Sequence, residues 1–148
     1  MRSARDLAAG RVSAGGIAFE ERLTPGLPGV TGDPMLLEQV FVNLIGNAVD
    51  AMPGGGRLTL ISGAEGASDN GHGDGRVFAE VRDTGPGIVP EEVPRIFRIF
   101  YTTKAQGTGL GLALAKKFTE AHGGSISVDS QPGDGAAFRV TLPVRKGD

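Results

Sequence analysis

Gly107-Thr108-Gly109-Leu110-Gly111-Leu112 stands between Thr102-Thr103-Lys104 and a helix-like run over residues 113–122. Alternating glycines strip side chains from a backbone about to enter a helix. Several N–H groups can then point at one anion while the helix dipole favours negative charge. The stretch reads as a phosphate cradle, and by itself it reads equally as a flexible linker ahead of a helix. No strand pattern precedes Gly107, no acidic residue follows at dinucleotide-fold spacing, and no Gly-x-x-x-x-Gly-Lys-Ser/Thr occurs in the chain. These features disfavour a Rossmann fold and exclude a P-loop, so any nucleotide held here needs a different fold.

Downstream of the glycines, residues 110–122 predict a helix that packs through Ala113, Leu114, Ala115 and Phe118 and is stopped by Gly123-Gly124. His122 at that terminus reads as a capping or dipole partner and not as a catalyst. Ser125-Ile126-Ser127-Val128 and residues 136–142 predict two strands, joined through Gln131-Pro132-Gly133-Asp134-Gly135 as a hairpin. Upstream, residues 90–97 predict a short helix, and Arg98-Ile99-Phe100-Tyr101 continues an aromatic stretch that can simply be core. The segment up to Gly107 reads as a lid with glycine hinges, in which Lys104 offers a point charge to phosphate.

Asp83-Thr84-Gly85-Pro86-Gly87-Ile88 ends a strand predicted over residues 76–83. A carboxylate beside a glycine turn can accept from an exocyclic amine while the glycines let a ring approach backbone. Taken alone, an Asp that caps its own turn explains the same residues. The partner strand is predicted over residues 57–62, in an antiparallel hairpin with a polar, glycine-rich tip over residues 63–75 that carries a solvated His72.

The longest helix is predicted to start at Asp33-Pro34, with Asp as N-cap and Pro at the first helical position, and to run to Met52 before Pro53-Gly54-Gly55-Gly56. Leu36, Leu37, Val40, Phe41, Leu44, Ile45, Ala48 and Met52 recur at helical spacing and predict a face packed on a sheet. Gln39, Asn43, Gly46, Asn47 and Asp50 fall together elsewhere on the helix. A solvated face is usually built from Lys, Glu and Arg, so this face is assigned to a ligand or metal. The competing reading is that Asn43 and Asn47 are buried amides satisfied by backbone. Residues 17–23 predict a first, edge strand, and residues 1–16 a lead-in or the remnant of an upstream element.

The composition narrows the function classes. A chain of 148 residues supports one core, and a formal charge of −2 provides no basic footprint, so no nucleic-acid partner is expected. Without cysteine there is neither a disulfide framework nor a thiolate metal site. No apolar run reaches the roughly 18–20 residues that span a bilayer, so no membrane contact is expected. The 25 glycines cluster between periodic segments, which marks loops and not disorder.

Four separated segments now resemble those of one family. Residues 38–52 resemble the N box of bacterial sensor histidine kinases, residues 83–88 their G1 box, residues 97–104 their F box and residues 107–112 their G2 box. Order and spacing over roughly residues 17–143 are similar to the catalytic ATP-binding domain of the GHKL superfamily. Asn47-Ala48-Val49-Asp50-Ala51-Met52, Phe100-Tyr101-Thr102-Thr103-Lys104 and Glu120-Ala121-His122-Gly123-Gly124 look most like the nitrogen-regulation or dicarboxylate-sensor subgroup. Arg98-Ile99 stands where that subgroup has Glu-Pro, and Tyr101 where it has Phe.

The resemblance implies an α/β fold: a two-layer sandwich of a mixed sheet of about five strands with three helices on one face, of the Bergerat ATP-binding type. Residues 17–148 would form the domain. It implies ATP and Mg²⁺ as cofactors, with Asn47 as the metal ligand and Asn43 and Asp50 lining the same pocket. Asp83 would take the adenine amine, with Gly85, Gly87 and Ile88 beside the base. The phosphates would lie on Gly107, Thr108, Gly109, Leu110, Gly111 and Leu112, under a lid bearing Thr102, Thr103 and Lys104. Asn43 and Lys104 are the implied catalytic residues. Related ATP hydrolases carry Glu where Asn43 stands, and an amide is no general base, so efficient hydrolysis is not expected.

The implied partners are a histidine-bearing dimerisation domain of the same kinase and a downstream response regulator. Neither His72 nor His122 lies in a phospho-accepting helical hairpin, so the nucleophile is expected outside this chain. A cytoplasmic location follows for the module, with anchoring of a parent protein in the inner membrane left open. Two rivals stand beside this reading: a serine kinase of the anti-sigma-factor type, and a non-catalytic ATP-binding regulatory module.

Overall fold

The computed structural model describes residues 16–27, 29–65, 75–98 and 111–144. Within them lie five strands, β1 (Ile17–Arg22), β2 (Gly56–Glu65), β3 (Arg76–Asp83), β4 (Ser125–Ser130) and β5 (Ala136–Pro143). The helices are α1 (Pro34–Asp50) and α2 (Gly111–Ala121), with a 3₁₀ turn at Val93–Arg95. The strands form one mixed sheet in the order β1-β2-β3-β5-β4. β1 runs parallel to β2, and the remaining neighbours are antiparallel. The parallel pair follows from α1, which carries the chain back across the sheet between β1 and β2.

One face of the sheet holds the core. Leu58 and Leu60 of β2, Val81 of β3 and Phe138, Val140 and Leu142 of β5 alternate inward and meet Leu37, Val40, Leu44, Ile45 and Ala48 of α1. Those α1 residues are the ones whose spacing predicts a packed face. Phe97 joins them edge-on to Phe138, ring centroids 6.1 Å apart, and Lys116 of α2 lies 5.8 Å from the Phe97 ring centre. On the other face Glu80 is buried beneath its partners, accepting from Arg82 Nη2 at 2.6 Å and Arg139 Nε at 3.2 Å. Arg139 also reaches Glu65 at 3.1 Å and stacks 3.9 Å above Phe78, so its stem and charge roof that part of the sheet.

The sandwich matches the expected fold class, and its helix layer differs in one element. Residues 90–97, expected as a short helix, form only the 3₁₀ turn. Pro94 lacks an N–H and its ring clashes with the carbonyl four residues back, so an α-helix begun at Pro90 cannot run through it. Pro53 disfavours helical backbone at Met52: α1 ends at Asp50 with Ala51 as its cap, two residues short of the expected Met52. β2 and β4 run past their expected ends because each has a partner there, Glu65 opposite Arg76 and Ser130 opposite Ala136.

The helix ends obey their signals. Asp33 Oδ1 accepts from the N–H groups of Met35 at 2.9 Å and Leu36 at 3.4 Å, with Pro34 in the first helical position. At the end of α2, Gly124 N–H donates to Thr119 O and Gly123 N–H to Glu120 O, both at 3.0 Å, with Gly123 at φ +76. His122 joins the two helices. Its Nε2 accepts from Asp33 N–H at 2.9 Å and its Nδ1 meets Phe118 O at 2.7 Å. A backbone N–H can only donate and a carbonyl only accept, so the proton resides on Nδ1 and the ring is a capping partner, as expected.

Candidate functional site

Helix α1 is the wall on which the candidate residues meet. Asn43, Asn47 and Asp50 lie along it at spacings of four and three, the two amides half-buried and Asp50 exposed. Asn43 Oδ1 accepts from Gln39 Nε2 at 3.1 Å. Asn43 Nδ2 is buried and has no hydrogen-bond partner among the described residues. Among the described residues, the backbone satisfaction that the competing reading requires is not found at this amide. An orphaned buried donor costs about 1–3 kcal/mol, and such a group in a native fold calls for an acceptor.

The last glycine of the ribbon lies against this amide. A Cβ placed on Gly111 would have Asn43 Cγ as its neighbour at 4.0 Å, so α2 begins beside Asn43. The N–H groups of the first turn of α2 have no partner inside the helix, and its dipole is positive at that end. Leu112 packs on the core and sets the entry of α2. Thr102, Thr103, Lys104, Gly107, Thr108, Gly109 and Leu110 lie outside the described residues, as do Ile99, Tyr101 and His72.

At its other end α1 meets the turn after β3. Asp83 is only 3% exposed, and its Oδ1 accepts from Gly85 N–H at 2.8 Å and Ala136 N–H at 3.3 Å. Burial pushes this carboxyl above the usual carboxylate range, and the two backbone donors offset part of that push. Asp83 thus caps its own turn, as its local pattern allows, and does so with one oxygen.

The glycines of this turn have structural partners. A Cβ on Gly85 would come within 2.7 Å of Ala51 O, at the end of α1. Gly87, at φ +77, would place one 2.2 Å from Gln131 O. Their absence of side chains lets the turn press on α1 on one side and on the β4–β5 connection on the other.

Several residues of this neighbourhood carry no signal in the local pattern. Thr84 Oγ1 accepts from Arg57 N–H at 3.0 Å and donates to Met52 Sδ at 3.5 Å, tying β2 and the segment that follows α1 to the turn. Ser130 Oγ accepts from Ile88 N–H at 2.8 Å and donates to Gly135 O at 2.9 Å. Both side chains act on segments more than 25 positions away in the chain, as their separations of 27 and 42 residues show.

Fold and site together define an α/β sandwich whose longest helix joins an amide donor with no partner among the described residues, the start of a second helix and a buried carboxylate. The chain belongs to the family of histidine kinase-, DNA gyrase B- and HSP90-like ATPases, whose model matches residues 32–146. Sporulation kinase E of Bacillus subtilis (strain 168) is 36% identical over 146 residues, 99% of this chain and 19% of that protein. Sensor histidine kinase ZraS of Klebsiella oxytoca is 42% identical over 120 residues, 81% of this chain and 24% of that protein. The mycobacterial sensor histidine kinase MprB has a solved structure that superposes with a TM-score of 0.78 at 33% identity, covering 96% of this chain and 90% of that one. Full-length ShkA, solved in complex with AMPPNP, superposes with a TM-score of 0.79 at 33% identity over 97% of this chain and 29% of that one.

The chain thus spans roughly a fifth to a quarter of the length of these two curated relatives. Among the described residues no helix is long and apolar enough to cross a membrane.

Proposed function

We propose that this chain is the ATP-binding catalytic module of a two-component sensor histidine kinase, contained in residues 17–148. It would hold Mg-ATP for γ-phosphoryl transfer to a His on a separate dimerisation domain, from which a response regulator takes the phosphoryl group. The observation that carries the reading is Asn43 Nδ2, a buried donor with no acceptor among the described residues, set beside Gly111 at the start of α2. A donor in that position suits an anionic oxygen. The family and the AMPPNP-bound relative make a nucleotide phosphate the fitting anion.

Each residue has a chemical task in this reading. Asn43 donates to a phosphate oxygen, and the backbone of residues 107–112 offers further donors. Lys104 neutralises charge from the lid segment, with Thr102 and Thr103 beside it. Asn47, one helical turn beyond Asn43, presents an amide oxygen of the hard type that Mg²⁺ prefers, and Asp50 lies on the same face. When bound, Mg²⁺ supplies charge neutralisation across the phosphates. Asp83 keeps Oδ2 for the adenine amine while Oδ1 serves the turn, and Ile88 adds an apolar wall.

The chemistry asked of the module is positioning and charge stabilisation, because the nucleophile comes from elsewhere. With an amide at position 43 and no general base there, water is a poor competitor for the phosphoryl group. The test is direct: titration calorimetry of the chain with Mg-ATP, followed by incubation with radiolabelled ATP and a histidine-bearing dimerisation domain. Binding followed by acid-labile label on that domain is the expected result. Label on a Ser of a partner, or binding that supports no transfer to either, would replace this reading by a rival.

A further inference from the structure

The turn between β4 and β5 grips the segment 83–88 along its whole length. Gly133 N–H donates to Pro86 O at 2.7 Å, Ala136 N–H reaches Asp83 Oδ1 at 3.3 Å, and Ser130 Oγ receives Ile88 N–H at 2.8 Å. The fit is tight as well as bonded. A Cβ on Gly135 would come within 2.1 Å of Asp83 O, and one on Gly87 within 2.2 Å of Gln131 O. Ser130 uses its hydroxyl in both directions, since it also donates to Gly135 O at 2.9 Å. It therefore joins the far end of the segment, Ile88, to the residue lodged against its near end, Asp83.

We infer that Ser130 is a positioning residue for base recognition, holding the Asp83 carboxylate and the Ile88 wall in one fixed relation so that the site takes a purine with an amine, and not a carbonyl, at C6. This rests on the nucleotide-binding reading above. The physical reason is entropy. A turn with two glycines in three residues has many conformations, and each must be surrendered when a base is bound unless the fold has already removed them. Selecting an amine over a carbonyl at one ring position needs the acceptor held still, because a mobile carboxylate can retreat from the wrong base without penalty. Ser130 touches no base in this account. It acts through Ile88 and through Gly135, whose backbone packs on Asp83.

The experiment compares wild type, Ser130→Ala and Ser130→Thr by titration with Mg-ATP, Mg-GTP and Mg-tripolyphosphate, each protein kept well below its melting temperature. For Ser130→Ala, the dissociation constant for Mg-ATP should rise about three- to tenfold, the worth of one hydrogen bond. Mg-GTP and Mg-tripolyphosphate should change by less than about twofold, so the preference for ATP over GTP shrinks by nearly the whole factor. Ser130→Thr, which keeps the hydroxyl, should restore the preference. An unchanged ATP-to-GTP ratio in Ser130→Ala would overturn the inference. So would an equal loss for all three probes, which marks a structural role alone. Wild type that binds neither nucleotide would instead overturn the functional reading itself.

Discussion

Exchange of Asp83 for Asn replaces a single carboxylate oxygen by an NH₂ group and leaves an oxygen for the N–H groups of Gly85 and Ala136, which lie 2.8 and 3.3 Å from Oδ1. Two effects of opposite sign follow. Burial raises the Asp83 pKa, so the folded protein binds this proton more tightly than the unfolded chain does. By linkage, its contribution to stability is fully present below the unfolded value and is lost as pH rises through the folded one. At neutral pH the carboxylate is a liability to the fold, and a neutral amide with the same oxygen removes it. Unfolding of Asp83→Asn should occur at the same temperature as wild type or higher.

Nucleotide affinity should move the other way. An amide NH₂ facing the adenine amine exchanges a charge-assisted hydrogen bond, worth about 1.5–3 kcal/mol, for two opposed donors. The dissociation constants for Mg-ATP and Mg-ADP should both rise about 10- to 150-fold. Wild-type affinity should also fall as the pH drops through the folded pKa of Asp83, a dependence that Asp83→Asn lacks. Titration calorimetry and thermal unfolding on the same samples read both effects. Unchanged affinity would remove Asp83 from base recognition. A melting temperature lowered by more than about 5 °C would show that the buried charge does not weaken the fold.

Asn43→Leu removes a buried donor that has no partner among the described residues, so stability in urea should hold or improve while Mg-ATP affinity falls about tenfold. Lower stability with full affinity would make the amide structural. Asn47→Ala should abolish the dependence of ATP binding on Mg²⁺ and leave the unfolding curve in place; an unaltered titration in Mg²⁺ would take this residue out of the metal site. Gly87→Ala combines φ +77 with a contact 2.2 Å from Gln131 O and should cost more than about 2 kcal/mol. Gly123→Ala, at φ +76 but no closer than 3.5 Å to Pro143, should cost only about 1 kcal/mol. Equal losses in these two variants would show that backbone conformation, and not the collision, makes Gly87 necessary.

Much of the placement of the candidate residues was legible because its signals are local. Asp33-Pro34 marks the start of α1, and the spacing from Leu37 to Ala48 turns one side of that helix to the core. Once that side is assigned, Asn43 and Asn47 must lie together away from it, whatever the rest of the chain does. The alternation in residues 76–83 likewise brings Asp83 to the end of β3 on the same sheet face as Val81.

Tertiary structure decided what depends on contacts between distant segments. The parallel placement of β1 beside β2 and the insertion of β5 between β3 and β4 come from packing, since the strand patterns alone permit other orders. His122 was readable as a cap, but its second bond reaches Asp33, 89 positions earlier, and nothing local announces it. Ser130 reads as an ordinary strand residue until β5 folds back and Ile88, 42 positions upstream, arrives at its hydroxyl. Local periodicity sets which way each side chain faces, because backbone geometry repeats within a few residues. Which face it meets is settled by loop closure and packing of the whole chain.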